Sequence, residues 1–240
     1  SPFFHSVPAL ENNERLLRFQ QSQVDKMLSL ALPRGNVLYC IDNETSDSPE
    51  WGKYWAKYLR ARAEAAGTAV GVTEMWDDHN CLGPSHEATW KHPETYDFCD
   101  ISQNNHNESQ LHWDHMQEYR RRIIETDRPR PINSVKIYGA DAGRFGNTRD
   151  GQERFWRNVF GGLATARFHR PPAGLGLSDL AQKHIRAMRE LTDRMDVFSC
   201  RPVNDLLGRR SGNEAYCTAN PGTEYAVFFP DGGDVDLDVS

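Results

Sequence analysis

Short β-rich runs recur along the chain at residues 36–41, 68–73, 96–102, 133–138 and 163–169. The interval between them is roughly 30 residues, about the span of a strand, a helix and two loops. Helical patterns fill the gaps. Residues 14–31 place Leu17, Val24, Met27, Leu28 and Ala31 on one face. The next helix takes Ser48 as its N-cap, Pro49 at its first position, Trp51, Trp55, Tyr58 and Leu59 as its apolar stripe, and Gly67 as its stop. Residues 109–125 bury Trp113, Met116 and Ile123 or Ile124, and residues 151–161 and 178–195 complete the alternation.

Strands that are apolar on both faces and alternate with helices predict a parallel α/β sheet. No GxGxxG or GxxxxGK[ST] phosphate loop follows the first strands, which weakens an open doubly wound sheet. A closed (β/α)8 TIM barrel is the better expectation, with the five runs forming its C-terminal part over residues 1–195. After residue 195 short alternating runs broken by GRRSGN, NPG and DGGD turns predict a small antiparallel β domain over 196–240.

Composition narrows the function classes. The net charge of −6 disfavours nucleic acid as a partner, and no apolar run is long enough to span a membrane. Mean hydropathy is −0.72, so the core must come from short strands and amphipathic helices. Aromatics make up 10% of the chain, with 6 Trp, enough for a core and also for faces that stack on sugar rings. The 5 cysteines include no CxxC pair, which argues against a zinc ribbon or a disulfide framework. His112 and His115 stand one turn apart with other histidines scattered nearby. Without HExxH they read as surface or sugar-site histidines, so no metal and no cofactor is expected.

In a parallel barrel the functional face follows the C-terminal ends of the strands. The polar residues there are Asn43 and Glu44 after the first run, Glu74 and Trp76 after the second, and Asn104 and His106 after the third. Lys136, Tyr138 and Asp141 accompany the fourth run, and Arg167 and His169 the fifth. Glycoside cleavage needs a carboxylic acid to protonate the leaving oxygen and a second carboxylate as nucleophile or base. Glu44 is the candidate acid/base, and Glu74 or Asp141 the second carboxylate. Asn43, Trp76, Asn104, His106, Lys136, Tyr138, Arg167 and His169 are candidate substrate contacts. The cations at 136, 167 and 169 suit an anionic sugar.

The stretch NVLYCIDNETSDSPEWGKYWAKYLR resembles the fourth βα unit of the clan-A glycoside hydrolases, whose strand ends in Asn-Glu with the Glu as acid/base. SPFFHSVPALENN resembles the loop after that clan's third strand. The tail NDLLGRRSGNEAYCTANPGTEYAVFFPDGGDVDLDVS is similar to a collagen-binding-type β module that follows such barrels in bacterial polysaccharide-degrading enzymes. The resemblance implies strands four to eight of a barrel, a carbohydrate substrate, a periplasmic or extracellular setting and a longer parent protein. The clan's seventh-strand Glu has no counterpart in PINSVKIYGADAG, so its nucleophile does not carry over. A non-catalytic carbohydrate-binding barrel is the competing class, and an adhesive protein a third.

Overall fold

The computed structural model describes residues 1–138, 148–169 and 177–240. The chain divides into two units: Ser1–Asp78 with Leu82–Asp100 and Arg122–Pro131, and His79–Cys81 with Ile101–Arg121 and Ile132–Ser240. The 196–240 tail lies within the second.

In the first unit, helix α1 (Glu14–Ala31) starts at Asn13, whose side chain accepts the Leu16 N–H. This satisfies one of the donors a helix start leaves open. Helix α2 (Pro49–Ala65) starts at Ser48 with Pro49 in its first turn and stops before Gly67, whose positive φ of 70° suits glycine. Strands β1 (Leu38–Cys40) and β2 (Gly71–Thr73) pair in parallel, Leu38 opposite Gly71 and Cys40 opposite Thr73. Leu28 of α1, Ala56 and Leu59 of α2, and Val72 of β2 form one buried cluster, and Val7, Leu17, Trp51 and Trp55 another. Each large apolar side chain so buried contributes about 1.5–3 kcal/mol. Helix α3 (Pro84–Trp90) and strand β3 (Cys99–Asp100) complete this unit's elements.

In the second unit, helix α4 (Ser109–Ile124) precedes strand β4 (Ile132–Ile137), and β4 pairs in parallel with β5 (Thr165–Phe168). Helix α5 (Thr148–Phe160) lies between these strands in sequence. It packs through Phe155 on Ile137, Phe168 and Ala181, the last from helix α6 (Asp179–Thr192). The tail forms strands β6 (Arg201–Pro202), β7 (Leu207–Gly208), β8 (Tyr216–Asn220), β9 (Glu224–Phe228) and β10 (Asp236–Leu237). They pair antiparallel as β6-β8-β9 and β7-β10. Val235 and Leu237 pack against Val203, Leu207 and Cys217, while Asp236 turns outward to Arg209. That is the alternation of DGGDVDLDVS expressed as a half-covered strand.

The expected barrel is not what forms. Among the described residues the strands gather into small sheets of two or three, and none closes on itself. Closure requires every strand to pair along both edges with a consistent stagger. β1 pairs only with β2, and among the described residues its other edge carries no strand. The apolar stripe of α1 is correspondingly wider than the surface beneath it. Leu28 is buried, but Met27 stays 59% exposed and Leu30 63%, and Leu38 of β1 is 62% exposed.

An open parallel edge beside exposed Leu38, Met27 and Leu30 favours association. We expect the 240-residue chain to associate with itself as its concentration rises, as measured by light scattering after gel filtration. Leu38→Lys should reduce that association. A strictly monomeric chain across the concentration range would contradict it.

Candidate functional site

The site begins where β1 ends. Ile41 N–H donates to Thr73 O (2.9 Å), so the β1–β2 ladder runs one residue past the strand. It breaks at Asp42, Asn43 and Glu44 and then resumes: Thr45 N–H donates to Met75 O (2.9 Å), Asp77 N–H to Thr45 O (2.8 Å), and Thr45 bridges Trp76 in parallel. The break is stitched by a side chain, because Asp42 Oδ1 accepts the Met75 N–H at 3.1 Å. Glu44 takes the left-handed conformation, φ 54°. A residue with a Cβ pays about 1–2 kcal/mol there. Such strain persists only where the surroundings enforce it, and it marks positions worth testing for function. Asn43 and Glu44 are both exposed.

Three acids lie along this edge in different environments. Asp42 is half-buried, and burial pushes its carboxyl up to about 6 against the opposing pull of the Met75 N–H. Cys40 Sγ donates to Asp42 O (2.9 Å), and its thiol is pushed up by burial and then by the carboxylates of Asp100 and Asp42. Glu74 is only 1% exposed. Burial raises its carboxyl to about 8, outweighing the Tyr96 and Thr89 hydroxyls that pull the other way. Its Oε1 accepts from Thr89 Oγ1 (3.2 Å), which in turn accepts from the buried indole of Trp76 (2.8 Å). A methyl group on Gly52 of α2 would overlap Glu74 Oε2. Glu74 and Trp76 therefore belong to a closed hydrogen-bonded packing layer in which burial favours the neutral form of the acid.

The second unit assembles the remaining candidates. His106 stacks on His79, ring centroids 3.9 Å apart and planes within 12°. Tyr138 stacks on His169 at 4.3 Å. Asn104 is buried: its Nδ2 donates to His112 O (2.8 Å) and its Oδ1 accepts from Asn107 (3.0 Å). Lys136 is buried and Arg167 exposed. Asp141 lies outside the described residues.

Sequence reasoning missed a buried hydrogen-bonded network in this unit. His112 is not at the surface; it is fully buried, and burial followed by the charges of Arg157 and Arg154 holds its pKa well below the usual range. Arg157 Nε lies 3.4 Å from His112 Nδ1, which assigns Nε2 as the ring donor to Asn105 Oδ1 (3.1 Å). Asn105 Nδ2 donates to Ser134 Oγ (2.9 Å), and Asn158 Nδ2 donates to the same oxygen (3.2 Å). Arg157 also pairs with Glu153 (2.9 Å). The QNNH run held the signal, since consecutive amides after an apolar run serve a buried network as readily as a sugar.

No protein-family model matches the chain, and no curated protein or solved structure matches it. No glycoside-hydrolase family and no collagen-binding module is supported by these comparisons. Among the described residues no group of three or more His, Cys, Asp or Glu is placed to hold a metal ion, and no helix is long and apolar enough to cross a membrane.

Two outcomes follow from this geometry. Replacing Glu44 by Gly removes the left-handed strain and should stabilise the protein by about 1 kcal/mol in urea unfolding. A loss of stability would mean that the Glu44 side chain holds the turn. Glu74 has the opposite sign to a usual paired carboxylate. Its folded value of about 8 lies above the ordinary 4.5, so between these values the unfolded chain releases a proton that the folded one retains. Its contribution therefore falls as pH rises from about 4.5 to about 8 and levels off above. Glu74→Gln should flatten that fall in unfolding free energy measured across this range; an unchanged slope would place the proton elsewhere.

Proposed function

We propose that this chain hydrolyses a glycosidic bond in a polysaccharide or oligosaccharide, with Glu44 as general acid/base. One observation carries the reading: Asn43-Glu44 is exposed, directly follows a parallel strand, and is held in a left-handed turn inside an otherwise continuous ladder. A carboxyl in that position gives its proton to the leaving oxygen as the bond to the anomeric carbon breaks. The neighbouring Asn43 amide, exposed on the same turn, suits a sugar hydroxyl. A periplasmic or extracellular setting belongs to the same proposal, through the resemblance of residues 36–60.

A second reading is carbohydrate binding without cleavage. It is favoured by Glu74, whose burial keeps it from the role of second carboxylate. Reducing-end release from a panel of neutral, uronate-containing and sulfated polysaccharides separates the two. Under the first reading the protein releases reducing ends and Glu44→Gln lowers the rate on the order of 10²-fold or more while binding persists. Undiminished turnover in Glu44→Gln removes Glu44 from the mechanism. Binding without any release from the unaltered protein favours the second reading.

A further inference from the structure

The first unit contains a pocket of about 280 Å³ formed by the N-terminal segment, α1, β1 and α2. Five aromatic residues line it, Phe3, Phe4, Tyr39, Trp51 and Trp55, and Val24, Leu28, Ile41 and Leu59 add aliphatic surface. Among the described residues that line it, Asp42 is the only charged one. Phe4 and Trp51 meet edge to face at 4.9 Å, and Trp51 and Trp55 lie tilted at 5.9 Å, so these rings form one continuous wall.

The combination is unbalanced. A half-buried carboxylate is costly without a counter-charge. Among the described residues Asp42 faces no cationic side chain at ion-pair distance; its recorded partners are the Met75 N–H on Oδ1 and backbone close by. Aromatic faces attract cations through their ring quadrupoles, and a carboxylate adds direct charge pairing. Glu44 does not line the pocket, although Asn43 beside it does.

We propose that this pocket binds a small organic ammonium ion, its apolar body against the Phe4–Trp51–Trp55 wall and its cationic nitrogen paired with the Asp42 carboxylate. The chemistry selects positive charge on a compact apolar skeleton. An anion would meet Asp42 with like charge, and a neutral isostere would leave that carboxylate without a counter-charge. The closeness of Asp42 to its titration midpoint adds a pH signature, because protonation near pH 6 removes the counter-charge.

Titration calorimetry of the whole 240-residue chain at about pH 7.5 tests this, with benzylammonium and benzyl alcohol as probes. Benzylammonium should bind saturably and at least about tenfold more tightly than benzyl alcohol. Asp42→Asn should abolish that preference by weakening only the ammonium. If this variant does not fold, the unaltered protein gives the same reading: the preference should shrink as pH is lowered through about 6, where Asp42 gains its proton. Equal affinity for the two probes, a preference that survives Asp42→Asn or acidification, or no saturable benzylammonium binding would each overturn the proposal.

Discussion

The hydrogen bond from Met75 N–H to Asp42 Oδ1 is the interaction on which the candidate site depends. A parallel pair normally continues residue by residue or stops. Here the ladder stops for Asp42, Asn43 and Glu44 and resumes at Thr45, and a side-chain oxygen takes the N–H that the missing backbone acceptor leaves open. That substitution lets Glu44 sit in a left-handed turn without the two segments parting. It also commits Asp42: one oxygen is spent on structure while the residue lines an aromatic pocket, and burial raises its proton affinity. Local backbone repair thus sets the chemistry of both neighbouring acids.

Glu74 is the counterpart on β2's side. One residue past a strand end, a carboxyl has two options, outward to solvent or inward to the helix layer. Gly52 decides the matter, because its missing side chain opens space in α2 that Glu74 Oε2 fills. Burial then favours the neutral acid, against the Thr89 hydroxyl of the Trp76–Thr89–Glu74 chain, which favours the ionised one. A glycine in the first turn of α2, where it adds nothing to helix propensity, is explained by this close approach.

The second unit is organised by polar contacts as much as by apolar ones. His112, Asn105, Ser134, Asn158 and Arg157 hydrogen-bond to one another in the interior, with Asn158 Oδ1 left unmatched among the described residues. Networks of this kind are stable only when nearly complete, since each unmatched buried group costs what a matched one returns. Tyr216 of the tail joins the same region through Asn213, which also accepts from Arg157.

Periodicity and capping residues were enough to place five of the helices, while the short α3 over Pro84–Trp90 was not anticipated. Asn13, Ser48, Pro49, Gly67 and Ser178 act through their nearest neighbours, so α1 begins and ends where the pattern says and α2 starts at Ser48. The parallel partnership of 36–41 with 68–73 was likewise legible, because apolar strands separated by a helix have few other arrangements. Closure into a barrel was not, since it depends on what lies along the far edge of β1, which no local pattern encodes. Residue type and position after a strand nominated Glu44, Glu74, Asn104 and Trp76 alike. Tertiary packing separated them, exposing Glu44 and burying the other three. The reason is physical: the sequence by itself determines which groups are polar and which elements carry them. Whether a polar group faces water or a complementary donor depends on residues tens of positions away, as Gly52 does for Glu74 and Arg157 for His112.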